Sequence, residues 1–196
     1  MKTVCVFCGS GVGKHPEYST KAKMLGELIA GKNLRLVYGG GNIGLMREVA
    51  DSALAAGGEV IGVMPQNIVE KEIAHHAITK LHVVNSMHER KALMADLSDA
   101  FIALPGGFGT LDEIFEIMTW NQLEIITKPT GLLNIEGYFD HLIQFIRHAV
   151  HEKFVRPEHQ SNLIVETDAN NLLEKLQDFR PVKAEKWIDR LKLDLI

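Results

Sequence analysis

Cysteine is nearly absent from this chain: only Cys5 and Cys8 occur in 196 residues. Two are too few for a disulfide framework. Positive charge is not in excess either. Lys and Arg total 21 against 25 Asp and Glu, for a net charge of −4. The basic, aromatic-studded groove of a nucleic-acid binder is therefore not expected. No apolar run approaches the roughly 20 residues of a membrane helix. The N-terminus, MKTVCVFCGS, has no apolar stretch followed by a cleavage pattern, so no secretory signal is read there. Internal repeats, low-complexity tracts and obvious linkers are also missing. These absences predict a cytoplasmic protein without a nucleic-acid or membrane partner.

What is present is enough apolar material for a core. Hydrophobic residues make up 46% of the chain, and its length suits one domain spanning residues 1–196. Short apolar runs alternate with longer helical patterns, the mark of a mostly parallel α/β sheet with helices on both faces. Strands are predicted at Thr3–Phe7, Leu34–Tyr38, Glu59–Val63, Leu81–Val84, Ala100–Leu104, Thr130–Leu133 and Leu163–Val165. Several are apolar nearly throughout, as strands covered on both faces must be. The clearest helix spans about Tyr138 to Glu152, where Leu142, Phe145, Ile146, Ala149 and Val150 recur at helical spacing. Trp187, Ile188 and Leu191, spaced through a charged tail, predict a terminal helix over 180–196 packed on the domain.

Glycine gathers where a parallel sheet binds its ligands, just past the carboxyl ends of strands. Cys8-Gly9-Ser10-Gly11 follows the first strand, Gly39-Gly40-Gly41-Asn42-Ile43-Gly44 the second, and Pro105-Gly106-Gly107-Phe108-Gly109-Thr110 the fifth. The second and third open directly into helix patterns. Amides at such a helix start suit a phosphate. Two specific nucleotide motifs fail. Gly39, Gly41 and Gly44 fit G-x-G-x-x-G, but the motif follows the wrong strand and no acid ends the next one. Gly13-Lys14 resembles the tail of a P-loop, but Cys8 and His15 occupy its first Gly and its Ser/Thr positions. Cys5-x-x-Cys8 begins inside a strand and reads as structural. The nine His residues, including His75-His76 and His148-x-x-His151, form no evident metal set.

Two charged stretches look misplaced. Ser86-Met87-His88-Glu89 reads as a capping box. Arg90 and Lys91 then fall near the helix start, where the dipole opposes positive charge. Either they are a solvated pair, or something anionic lies close. Met87, Arg90, Lys91 and Met94 share one face. Thr110-Leu111-Asp112-Glu113 is a second possible capping box, in which Glu113 would return to the Thr110 amide. The other reading sets the Glu113 carboxylate beside a bound ribose phosphate, where it could stabilise an oxocarbenium-like centre or activate water. Asp112 and Glu116 are neighbours that could serve instead.

Taken together, these motifs resemble the Lonely guy (LOG) family of cytokinin riboside 5′-monophosphate phosphoribohydrolases. The matching pieces are Cys5-Val6-Phe7-Cys8-Gly9-Ser10, Tyr38-Gly39-Gly40-Gly41, Gly44-Leu45-Met46, Met87-x-x-Arg90-Lys91 and Pro105 to Glu113, followed by Thr119-Trp120. The resemblance implies a Rossmann-like homodimer that frees the base of a nucleoside monophosphate and needs no metal or organic cofactor. It implies Arg90 and Glu113 as the catalytic pair. It also implies substrate contacts at Ser10, Gly40, Gly41, Glu72, Met87, Lys91, Gly107, Phe108, Gly109, Thr110, Leu111, Asp112 and Thr119. Departures fall at Gly11, Arg47 and Glu124, where the family more often has Ser, Gly and Gly. A non-catalytic nucleotide or cofactor carrier is the alternative, because such a protein needs the loops but not the Arg90–Glu113 pair.

Overall fold

The computed structural model describes residues 1–69 and 74–182. Its chain order is β1 (Thr3–Phe7), α1 (Pro16–Gly31), β2 (Arg35–Tyr38), α2 (Gly44–Ala55), β3 (Val60–Pro65), α3 (Gln66–Val69), β4 (Lys80–Val84), α4 (Met87–Leu97), β5 (Ala100–Ala103), α5 (Phe108–Gln122), β6 (Thr130–Leu133), α6 (Asp140–His151), α7 (Pro157–Ser161), β7 (Leu163–Glu166) and α8 (Ala169–Gln177). All seven predicted strands are present. Most ends differ by only a residue, and β3 runs on to Pro65 because its backbone stays paired with β4 as far as Val84. The terminal helix expected over 180–196 lies, past Val182, outside the described residues.

The strands form one sheet in the order β4-β3-β2-β1-β5-β6-β7, and every neighbouring pair is parallel. Alternation along β1 explains the two layers. Val4 and Val6 face a core shared with Leu25 and Ile29 of α1, Val49 of α2 and Leu172 of α8. Cys5 and Phe7 face the opposite core, with Met94 of α4, Ile114 and Ile117 of α5 and Phe139 before α6. Phe7 stacks on Phe101 of β5 with ring centroids 5.9 Å apart. Cys5 and Cys8 are free thiols buried in opposite layers. A period-2 strand sends them apart, so the Cys-x-x-Cys spacing is structural, as expected.

Strand order reverses between β1 and β5, which makes the crevice past their carboxyl ends the switch point of the fold. The three Gly-rich loops meet there and brace one another. The Gly9 amide donates to the Pro105 carbonyl (3.0 Å), and the Leu45 amide reaches the carbonyls of Gly9 (3.0 Å) and Gly11 (3.3 Å). Gly44 has φ +56°, and a Cβ on it would run into the Ser10 main chain. Gly44→Ala is therefore expected to destabilise the protein by about 1–3 kcal/mol through backbone strain alone. Urea unfolding of the variant beside the parent checks this.

Candidate active site at the switch point

Helix α4 begins as its sequence says. Ser86 Oγ accepts from the Glu89 amide (3.1 Å), and Glu89 Oε2 accepts from the Asn85 amide (2.7 Å), one residue earlier than the usual reciprocal bond. This start sets the helix phase and sends Arg90 across the ends of two strands. Its Nε donates to the Val63 carbonyl of β3 (3.0 Å) and its Nη2 to the Gly39 carbonyl after β2 (3.4 Å). Its Nη1 lies 3.0 Å from Glu113 Oε1 on α5. Any side chain at residue 39 would collide with the guanidinium, so glycine there is what lets Arg90 lie flat against the strand ends.

The expected Thr110–Glu113 capping box does not form. Helix α5 starts at Phe108 with Gly107 as its N-cap and no side-chain cap bond. Glu113 sits too far into the helix to return to the start, and it turns inward to Arg90. Glu113 is 8% exposed. Oε1 is ion-paired by distance yet accepts no aligned hydrogen bond, because Nη1 lies off the donor axis. Burial pushes the Glu113 carboxyl above the ordinary value. Arg90 and Lys91 pull it down without outweighing that, while Asp112 and Glu116 push it further up.

Above this pair lies a cleft of about 260 Å³. Ser10, Gly39, Arg90, Glu113 and the run Gly107 to Thr110 line it, as does an apolar wall that includes Met46, Met64, Pro65 and Ile68. In α5 the first amide to find a carbonyl is that of Leu111, on Gly107 (3.1 Å). Among the described residues the amides of Phe108, Gly109 and Thr110 have no backbone partner, and they sit at the positive helix end. The second loop differs. Its Leu45 amide is consumed by the first loop, so α2 offers an anion less than α5 does.

The structure thus brings together Arg90, Glu113, Ser10, Gly107, Phe108, Gly109 and Thr110 from the sequence reading. Others stand apart from the cleft lining. Gly40 and Gly41 are buried, with the Gly40 carbonyl taken by the His75 amide (2.9 Å) and Gly41 bridged to Ala74. Thr119 is exposed and its hydroxyl donates to the Phe115 carbonyl (2.7 Å). Met87 is exposed at the start of α4. Lys91 is ion-paired to Asp112 and to Glu116, each at 3.1 Å, and Leu111 packs against the core. Glu72 lies outside the described residues.

Sequence reasoning missed the apolar wall and Tyr138, whose hydroxyl donates to the Gly106 carbonyl (2.6 Å) and braces the third loop. Of these residues only Met46 falls in a motif, Gly44-Leu45-Met46; Met64, Pro65, Ile68 and Tyr138 come from β3, α3 and the chain before α6. Glu152 was missed as well. With His148 and His151 it brings three ligand atoms within 4.8 Å of one another at the exposed end of α6. None of the three lines the cleft. A larger cleft of about 490 Å³ lies between α6, α7 and β7. Its buried amide, Asn134, is already satisfied by Asp140 (2.7 Å) and the Phe139 amide (2.7 Å). The start of α6 lines it through Asp140, an acidic residue that disfavours an anion, and among the described residues it holds no unpaired buried carboxylate, so it is the weaker candidate despite its size.

Fold and site define a doubly wound α/β protein with a buried Arg–Glu pair beneath a free helix start. The chain belongs to the family described as "Possible lysine decarboxylase", which its residues 46–176 match. Among curated relatives, a cytokinin riboside 5′-monophosphate phosphoribohydrolase of Rhodococcoides fascians is 50% identical over 165 residues, covering 84% of this chain and 83% of that one. A phosphoribohydrolase of the same description from Arabidopsis thaliana is 46% identical over 181 residues, covering 92% and 79%. Among solved structures, the molybdenum cofactor binding protein of Rippkaea orientalis is similar, with a TM-score of 0.68, 25% identity and coverage of 91% and 97%. A molybdenum cofactor carrier of Chlamydomonas reinhardtii, at TM-score 0.69 and 21% identity over 90% and 96%, shares the fold.

The decarboxylase description implies pyridoxal phosphate on a lysine, which needs a neutral amine. Lys91, the lysine of the site motifs, does not fit. Burial works against its charge, but hydrogen bonds to Glu116 and Asp112 outweigh that and hold its pKa above the ordinary lysine value.

Because Glu113 has a raised pKa in the folded state, its share of stability is fully present below the unfolded pKa. That share is lost as pH rises through the folded pKa. The stability of the parent relative to Glu113→Gln is therefore expected to fall as pH climbs from the ordinary carboxylate range. Urea unfolding of both proteins across a pH series measures it.

Proposed function

We propose that this chain hydrolyses the N-glycosidic bond of a nucleoside 5′-monophosphate, releasing the free base and ribose 5-phosphate. The observation that carries the reading is the buried Glu113 carboxylate, with Oε1 unfilled, facing the same cleft as the free amides of α5. Phosphate on those amides sets the ribose over Glu113. As the bond to the base stretches, positive charge grows at the anomeric carbon, and a carboxylate in a dry site stabilises it strongly. Glu113 also orients the water, whose hydroxyl joins that carbon while its proton balances the departing base. Arg90 stays charged and is a poor proton donor, so its part is to hold Glu113 and the strand ends in place. Met46, Met64, Pro65 and Ile68 give the base an apolar wall.

Within this reading the substrate is AMP or an N6-modified AMP, the protein is cytoplasmic and the whole chain is one domain. It works as a homodimer, and the exposed Leu123 and Ile125 after α5 suit burial against a second copy. Light scattering at the monomer mass would remove the dimer. The likeness to molybdenum cofactor binders favours a carrier as second reading, but a carrier has no use for a buried, unfilled carboxylate.

Incubation with AMP and with N6-isopentenyl-AMP, followed by chromatography of base and ribose 5-phosphate, is the test. Release is expected from at least one substrate, and none from either, with protein folded, would sink the hydrolase reading. Glu113→Ala should lower kcat by about 10²–10⁴-fold. Arg90→Lys should also be severely impaired, because one ammonium cannot reach the Val63 carbonyl, the Gly39 carbonyl and Glu113 together. If ionised Glu113 is the working form, the acid limb of kcat/KM falls at a pH above the ordinary carboxylate range.

A further inference from the structure

His75 has no part in the mechanism above, yet it is the most deeply buried histidine of those described, at 3% exposure. Its Nε2 lies 2.8 Å from Asp51 Oδ1 on α2. The carboxylate can only accept, so the ring proton sits on Nε2 and the bond is a donation to Asp51. Nδ1 is buried with no hydrogen-bond partner among the described residues. Burying a polar ring with half its capacity unfilled is costly, and an apolar side chain in that place would avoid the cost. The ring's use therefore lies in what it holds. Asp51 is free to hold it, since Arg47 reaches only its other oxygen, at 3.9 Å.

A second, independent set of contacts shows what is held. The His75 amide donates to the Gly40 carbonyl (2.9 Å), and the neighbouring Ala74 makes an antiparallel bridge with Gly41. The Gly39 carbonyl, one residue before Gly40, accepts from Arg90 Nη2, and Arg90 Nη1 meets Glu113. A continuous path of contacts thus runs from Asp51 through the His75 ring and backbone to Gly40, then Gly39, Arg90 and Glu113. Helix α2 is a sound anchor for it. Its start is locked by Leu45 onto Gly9 and Gly11, and its inner face packs on α1.

We propose that Asp51 and His75 form a clasp that positions the Gly40–Gly41 peptide, and through it the Gly39 carbonyl, Arg90 and Glu113, for glycosidic cleavage. Both are positioning residues, and the inference rests on the hydrolase reading above. The clasp does not touch the α5 amides, so it acts on the transition state rather than on phosphate binding. A displacement of about 1 Å at such a centre can cost 10²-fold in rate.

The test uses Asp51→Ala, His75→Asn and His75→Gln in the full chain. Gln places an N–H donor where Nε2 stands, whereas Asn does not reach it. Asp51→Ala and His75→Asn are expected to lower kcat by about 10–100-fold while KM moves less than about threefold. The double variant should be no worse than the worse single one, and His75→Gln should restore most of kcat. Wild-type kcat in Asp51→Ala, or a His75→Gln as impaired as His75→Asn, overturns the proposal. Should His75→Asn fail to fold, Asp51→Ala decides alone, because Asp51 is 55% exposed and its loss leaves no cavity. Hydrogen exchange over residues 39–46 separates the two readings. If the parent releases no base, the hydrolase reading falls, and unchanged exchange in Asp51→Ala then overturns the clasp as well.

Discussion

A carboxylate buried beside a guanidinium is expensive to build. Taking Glu113 and Arg90 out of water costs several kcal/mol per ion, and their attraction repays it only with good geometry and further hydrogen bonds. The geometry here comes from elements distant in the chain. The carbonyls after β2 and on β3 take two arms of Arg90, and α5 presents Glu113 to the third. Gly39 lets the guanidinium lie flat, and the capping box of α4 aims it. Even so, one oxygen of Glu113 is left without an aligned donor.

The three Gly-rich loops divide the remaining work unequally. The first spends its carbonyls holding α2 and its Gly9 amide holding the third loop. The second gives its carbonyls to Arg90 and to the chain at His75. The third keeps the first three amides of its helix without a backbone partner among the described residues, whereas the helix start after the second has its Leu45 amide taken. Three similar loop compositions thus become a brace, a lever and an open helix start. The composition alone suggested two equal phosphate loops, because a free helix amide and one already taken by a neighbouring carbonyl look alike in sequence.

Lys91 shows the same limit from the other side. Its place beside Arg90 made it a substrate contact by resemblance, yet it spends its charge on Asp112 and Glu116 across the α4–α5 seam. Those bonds also favour its charged form, which does not fit the neutral amine that the decarboxylase description implies. The fold shared with molybdenum cofactor proteins says how the crevice is made, not what is done in it.

All seven strands, both open-loop helices and the placement of the glycines at strand ends were legible in the residues. Such features rest on local rules: apolar runs for strands covered on both faces, period 3.6 for helices, glycine at tight junctions. Arg90 and Glu113 were legible as out-of-place charges, though Glu113 had a rival role in a capping box. The capping role was ruled out only in three dimensions, because a helix start is decided by where the preceding loop is pinned, and that loop is held at Leu104 by Phe7, at Pro105 by Gly9 and at Gly106 by Tyr138. Met64, Pro65 and Ile68 of the apolar wall, the brace at Gly106 and the Asp51–His75 pair carry no motif at all. Sequence by itself determined which elements form and which chemistry is available. Tertiary structure decided which amides stay free and which carboxylate is buried, since both depend on partners that only folding brings within reach.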